Sequence, residues 1–191
     1  MYKTDRLESG IYDIPDVCGE QSNTFFKEVP KTQARCDFRN GGGWTVILRR
    51  QRNAPQQVTF NRPWADYERG FGDLNTEFWY GLRNIHCLTE REEVELQIEL
   101  DNGTRQVRTY GYFEVDGPET NYTLHIGQAQ GPSSGYNSMA EHNGMQFSTT
   151  DRDNDASSGD CANSHGGSGW WYKSCYRSLL TGSHSSRRLY W

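Results

Sequence analysis

The stretch from Asp151 to Cys175, DRDNDASSGDCANSHGGSGWWYKSC, limits the fold more than any other part of this chain. Asp151, Asp153 and Asp155 alternate with Arg152 and Asn154, so three carboxylates fall within five residues. Carboxylates this close repel unless a cation lies among them, and an all-oxygen ligand set suits a hard ion such as calcium. The loop is not an EF-hand: that motif needs glycine at its sixth position and a bidentate glutamate at its twelfth, and here these are Ala156 and Ala162. Ser157 and Gly159 can instead offer backbone carbonyls from a tight turn. From the three aspartates alone, a solvated surface turn is an equal alternative. Cys161 follows six residues after Asp155, and its expected partner Cys175 lies fourteen residues further on, past a glycine-rich bend and Trp170-Trp171. A disulfide closing a loop of that size contributes on the order of 3 kcal/mol in the chain-entropy account.

With 191 residues, the chain suits one domain with a sizeable core. Only 34% of it is hydrophobic, but six Trp, eleven Tyr and eight Phe each bury a large area. Twenty glycines and few long apolar runs favour a loop-rich fold over a helical bundle. A net charge of −5 without a basic stripe excludes nucleic acid as the expected partner, and Arg49-Arg50 and Arg187-Arg188 read as solvated pairs. No apolar run approaches a membrane span. Five cysteines point to an oxidising compartment, so the expected location is secreted or extracellular. Polar residues directly after Met1 leave no signal peptide, which reads as an excised or incomplete piece of a secreted protein. Asn102-Gly103-Thr104 and Asn121-Tyr122-Thr123 are glycosylation sequons.

The pattern of elements is that of an α+β domain with a twisted antiparallel sheet and short flanking helices. Ser9–Ile14 reads as a strand ended by Pro15, and Cys18 and Cys36 frame an irregular segment, with a bridge between them as the first pairing. Trp44–Leu48 suits a buried strand. Asn61 can cap a short helix carrying Trp64 and Tyr67 and stopped by Gly70, and Thr76 precedes a helix over Glu77–Asn84 with Phe78, Trp79 and Leu82 inside. Val94–Leu100 alternates as a half-buried strand, Asp101-Asn102-Gly103 supplies a hairpin turn, and Val107–Val115 and Tyr122–Ile126 continue an antiparallel meander. Residues 127–141 read as loop, and regular structure thins out after Phe147. The expected organisation is a single domain, with an N-terminal lobe over 1–50, a central sheet and helices over 51–140, and a truncated calcium- and ligand-binding lobe over 141–191.

No catalytic set is legible: there is no HExxH, no phosphate-binding loop and no nucleophile elbow, so no enzyme is expected. His86, His125 and His142 are dispersed and read as structural, and no Cys/His spacing fits zinc. Cys87, beside Ile85 and Leu88, reads as a buried free thiol, with an interchain bond as the alternative.

SGIYDI, CDFRNGGGWTVILRR, FNRPWADYERGFGDL, EFWYGLRNIHCLT and HNGMQFSTTDRDNDASSGDCA followed by GSGWWYKSC together resemble the fibrinogen C-terminal-like domain family of fibrinogen chains, ficolins, tachylectins, tenascins and angiopoietins. The resemblance implies a calcium-stabilised extracellular recognition module. Its calcium ligands fall on the side chains of Asp153 and Asp155 and the carbonyls of Ser157 and Gly159, with Asp151 as a nearby acid. It implies a ligand pocket around His165, Ser174, Cys175 and Tyr176, with a cis Ser174-Cys175 peptide bond. Acetyl-binding members often carry tyrosine and histidine where this chain has His165 and Tyr176, the reverse order. That exchange favours a protein partner (a receptor, matrix component or peptide terminus) over the alternative, a lectin for acetylated glycans of the innate-immunity type. The family's counterpart of Cys36 usually bonds a cysteine upstream of the first strand, which this chain lacks, so either Cys18 takes that role or the partner lies outside. The chain ends where the family continues into another loop and a last strand. Members usually act as multimers through stalks, and none is present here.

Overall fold

A computed structural model of the chain describes residues 7–15, 18, 31–39, 42–101, 105–130 and 137–183. The strands are β1 (Gly10–Pro15), β2 (Lys31–Asp37), β3 (Trp44–Thr45), β4 (Leu48–Arg49), β5 (Phe71–Gly72), β6 (Phe78–Trp79), β7 (Val94–Asp101), β8 (Arg105–Val115), β9 (Leu124–Ile126) and β10 (Ala129–Gln130). The helices are α1 (Trp64–Arg69), α2 (Leu82–Thr89) and α3 (Cys161–Ser164). All strand pairings are antiparallel, in three sheets ordered β1-β2-β3, β4-β6-β5 and β10-β8-β7, with β9 also on β8. Among the described residues, no helix is long and apolar enough to cross a membrane.

The β7–β8 hairpin follows its alternation. Val94, Leu96, Ile98 and Leu100 turn toward the core while Glu95 and Glu99 stay exposed, and one register shift lies between Val94 and Leu96. The tip of this hairpin, with Asn102, lies outside the described residues. On β8, Tyr110, Phe113 and Val115 are buried, and α2 lays Leu82 and Ile85 into the same core. Two hydrogen bonds fasten α2 to the end of β8: the Val115 N–H donates to Thr89 Oγ1 at 3.1 Å, and His86 Nδ1 meets the Val115 carbonyl at 2.9 Å.

Several local expectations are corrected. Phe78 and Trp79 are buried, but in a strand: β6 is hydrogen-bonded on both edges, to β4 and β5, and a two-sided ladder outweighs helical spacing. The helix starts later, after Gly81 at φ 100°, a conformation that glycine adopts without a Cβ penalty. Trp44–Leu48 is not one strand. Its ends belong to different sheets, and the residues between them bond outward, Val46 N–H to the Arg35 carbonyl at 2.9 Å and the Ile47 carbonyl to Tyr80 N–H at 2.9 Å. The third strand of the meander begins at Leu124 because Asn121 and Tyr122 sit at φ 53° and 55°, in a turn. The expected loop over 127–141 contains β10 and a 3₁₀ turn at Ser138–His142.

The cysteine pairing is also corrected. Cys18 bonds Cys87, not Cys36, with Cα atoms 5.4 Å apart. Cys87 is therefore no free thiol; the chain at Cys18 docks beside α2, a contact between residues 69 apart that no local spacing reveals. Cys36 sits in mid-sheet on β2, opposite Gly10 on one side and Thr45 on the other, as a half-buried free thiol whose pKa is raised by burial.

Candidate functional site

The site rests on an aromatic floor. Trp64 and Tyr67 from α1, Trp79 from β6, Phe147, and Trp170-Trp171 form one buried group, with the Phe147 ring 5.1 Å from Trp171 and 5.2 Å from Tyr67. Two polar tips are satisfied by carbonyls: Trp79 Nε1–H donates to Tyr67 O and Trp171 Nε1–H to Tyr122 O, each at 2.8 Å. Gly169 is needed here, because a Cβ would meet the Phe147 ring at 2.7 Å and the Tyr67 ring at 2.8 Å.

The acidic loop is laced onto this floor. Ser148 and Trp170 exchange two backbone hydrogen bonds, of 2.9 and 3.0 Å, the Asn154 side-chain amide donates to the Phe147 carbonyl at 2.7 Å, and Ala156 N–H donates to Lys173 O at 3.0 Å. The acidic loop and the cystine loop are thus one unit. Asp151 bonds Thr149 and the start of α1. Its Oδ1 accepts from Thr149 Oγ1 at 2.7 Å and from the Trp64 backbone N–H at 2.8 Å. Burial acts upward on its pKa, yet the hydrogen bonds from Thr149 and Trp64 hold it below the usual carboxylate range. It therefore caps α1 from 87 residues away, a role expected of Asn61. The N-cap position is Pro63 without a side-chain bond, and Asn61 instead bridges Ser168. Next to Asp151, the Arg152 guanidinium lies 4.1 Å from the centre of the Trp64 ring.

Asp155 organises the turn that follows: its Oδ1 accepts from Ser157 N–H and its Oδ2 from Cys161 N–H, both at 2.8 Å. Asp153 Oδ1 accepts from Asp155 N–H at 3.1 Å. Desolvation raises the pKa of Asp153, and the neighbouring charges of Asp155 and Asp160 push it the same way. Gly159 faces open space. Among the described residues, no three His, Cys, Asp or Glu side chains converge on a metal position. The expected oxygen set has two carboxylates, from Asp153 and Asp155, and two backbone carbonyls, from Ser157 and Gly159. These donors fit a hard cation in chemistry: each carboxylate keeps lone pairs beyond those used by the backbone N–H groups.

Cys161 opens α3, whose N-terminus is capped by Asp160 accepting from Asn163 N–H at 2.8 Å, and Cys161 bonds Cys175 with Cα atoms 5.5 Å apart. The Ser174-Cys175 peptide bond is cis. Beyond it lies a shallow cavity of about 380 Å³ lined by His165, Cys175, Tyr176 and Arg177. His165 and Tyr176 meet edge to face at 4.9 Å, and Nδ1 of His165 is buried without a partner among the described residues. Of the expected pocket residues, Ser174 is exposed and is not in this lining, whereas Arg177, which the motif comparison passed over, is.

Two buried polar centres hold the pocket segment from behind. His142 meets the Trp171 carbonyl with Nδ1 at 2.7 Å and faces the N–H groups of Ser178 and Arg177 with Nε2, at 3.2 and 3.4 Å. A carbonyl on one side and two donors on the other require the neutral ring protonated on Nδ1, and burial pushes its pKa below the ordinary histidine value. Arg50, expected to be solvated, is instead nearly buried. Its Nε donates to Glu77 Oε1 at 3.2 Å, and its Nη1 donates to the carbonyls of Thr181 and Gly182 at 2.8 and 2.9 Å. The two carboxylate oxygens of Glu77 also accept from Gln51 and Val58 N–H, each at 2.9 Å. The sequon residue Asn121 is partly exposed, and its side-chain amide donates to Gln146 Oε1 at 3.0 Å. Arg187, Arg188 and the end of the chain lie outside the described residues.

The profile of the family described as "Fibrinogen beta and gamma chains, C-terminal globular domain" matches residues 16–190. Mouse tenascin-R (Mus musculus) is 41% identical over 182 residues, covering 94% of this chain and 12% of tenascin-R, so the chain spans about an eighth of that relative. Fibrinogen-like protein A of Apostichopus parvimensis is 41% identical over 165 residues, covering 82% of this chain and 57% of the relative. The fibrinogen-like globe domain of human ANGPTL6 superposes with a TM-score of 0.78 at 35% identity, covering 93% of this chain and 74% of that one. A lamprey fibrin D-dimer complexed with the peptide ligand Gly-His-Arg-Pro-amide superposes at 0.75 with 32% identity, covering 93% and 57%. With its antiparallel sheets, few short helices and laced acidic and cystine loops, this chain belongs to the fibrinogen C-terminal-like domain family.

Proposed function

We propose that the chain is an extracellular, non-enzymatic recognition module that binds a protein partner at the cavity beside the cystine Cys161–Cys175. The observation that carries this reading is the cavity itself: His165, Cys175, Tyr176 and Arg177 line it, and the segment that runs on from Cys175 is fixed by His142 at Arg177 and Ser178 and by Arg50 at Thr181 and Gly182. A rigid backing under an exposed rim suits recognition, because little ordering entropy is lost on binding. The lamprey fibrin D-dimer, a structural relative, is complexed with a short peptide. Two disulfides and the Asn121 sequon support an extracellular setting. Assembly into multimers through regions outside this chain would raise weak single-site binding by avidity.

Calcium is part of this reading. Asp153 and Asp155 through their carboxylates, and Ser157 and Gly159 through their carbonyls, would hold the ion. When bound, it neutralises the acidic turn. The all-oxygen donor set supports this assignment. Asp155 meanwhile bonds both Ser157 and Cys161, tying the ion's loop to the cystine at the pocket.

Binding of the wild-type chain and of Tyr176→Ala to a panel of extracellular proteins, and to immobilised N-acetylglucosamine, tests the function. A protein partner whose binding is lost in Tyr176→Ala and unaffected by acetate is the expected result. Retention on the sugar, released by free acetate, would instead establish the lectin for acetylated glycans.

A further inference from the structure

The charge of the pocket rim goes beyond the assignment of a binding site, although it rests on that assignment. Arg177 lines the cavity and is exposed, and its backbone N–H is directed at His142. Among the described residues it forms no ion pair, whereas the other nearby cation, Lys173, has Glu141 at 3.7 Å. The acids on the cystine side are not among the described residues that line the cavity. Asp155 accepts from two backbone N–H groups, and Asp160 is the cap of α3. His165 lines the same cavity, with its Nδ1 buried and unpartnered, and among the described residues no carboxylate lines it.

A concave site whose described lining carries one unpaired guanidinium and no carboxylate attracts a negative group and repels a positive one. We infer that the cavity recognises an acidic side chain of a protein partner, with Arg177 as the residue that sets this specificity. The guanidinium donates to the ligand carboxylate at the rim, and the Tyr176 ring packs against the ligand's aliphatic stem. This preference is opposite in sign to the peptide in the lamprey fibrin D-dimer, whose third residue is arginine and whose C-terminus is an uncharged amide.

The test uses three peptides, Gly-His-Xaa-Pro-amide with Xaa glutamate, glutamine or arginine, titrated into the intact chain and followed by NMR at His165, Tyr176 and Arg177. Because the peptides share every other charge, their differences report the third side chain alone. The glutamate peptide is expected to bind about three- to fivefold tighter than the glutamine one, the scale of a solvent-exposed ion pair, and the arginine peptide weakest. Added salt should shrink this preference. Arg177→Gln should abolish the preference without changing the melting temperature, and Arg177→Lys should retain part of it. Equal binding of the glutamate and glutamine peptides, or a preference for arginine, overturns the inference while the recognition site stands. No movement of the pocket signals with any peptide overturns both. Glucuronic acid bound through Arg177, with the glutamate peptide inert, would overturn the choice of a protein ligand in favour of an acidic sugar.

Discussion

Replacing Arg50 with methionine is the sharpest test of how the pocket segment is held. Methionine fills much of the same space over the Phe60 ring, where the guanidinium now lies 3.9 Å from the ring centre, but it brings no charge and no donor. Three groups then lose a partner at once. Glu77, whose side chain is fully buried, loses the Arg50 guanidinium, and the carbonyls of Thr181 and Gly182 lose the donor they share. Breaking one side of a buried ion pair costs about 3–5 kcal/mol. At about 2–4 °C per kcal/mol for a chain of this length, the melting temperature should fall by about 6–20 °C. Arg50→Lys keeps the charge but cannot reach the carboxylate and both carbonyls together, so it should fall in between. Calorimetry on the wild type, the two variants and the Arg50→Met/Glu77→Gln pair gives the answer. The double variant should lose less than the sum of the single losses, because each single change leaves a charge stranded. A drop below about 2 °C for Arg50→Met, or strict additivity in the pair, would refute the role given to this ion pair.

Calcium at a hundredfold excess over its Kd should stabilise the chain by about 2.7 kcal/mol, a rise of about 5–10 °C in melting temperature. Asp153→Ala should remove that rise, and identical melting in calcium and in excess chelator would reject the ion. His142, with a depressed folded pKa, contributes stability that is complete above the ordinary value of about 6.5 and is lost as pH falls below it. A protonated Nε2 would face the N–H groups of Arg177 and Ser178, with Glu141 opposing and Lys173 aiding the loss, so peptide binding should weaken over the same window. His142→Asn should flatten that pH profile; an unchanged profile would clear His142. Alkylation of the unfolded, unreduced chain should label Cys36 alone, and Cys18→Ser with Cys87→Ser should cost about 2–4 kcal/mol in urea unfolding.

Order along the chain was enough to reveal the alternating β7 strand, the buried aromatic residues and the acidic and cystine loops, because periodicity, glycine turns and carboxylate spacing are local properties. The aspartates and the pair Cys161–Cys175 lie close in sequence, and the cis bond before Cys175 followed from motif resemblance. What needed the tertiary structure were the long-range choices. Cys18 reaches Cys87 across 69 residues, Asp151 caps a helix 87 residues upstream, and Arg50 meets carbonyls more than 130 residues away. Phe78 and Trp79 likewise became a strand only because two partners flank them. A residue's own sequence states what it can bond or bury, but which partner it takes depends on how the elements dock. Arg177 shows this most plainly: it is an ordinary basic residue in the sequence, and only the fold places it in the lining of the cavity beside Cys175.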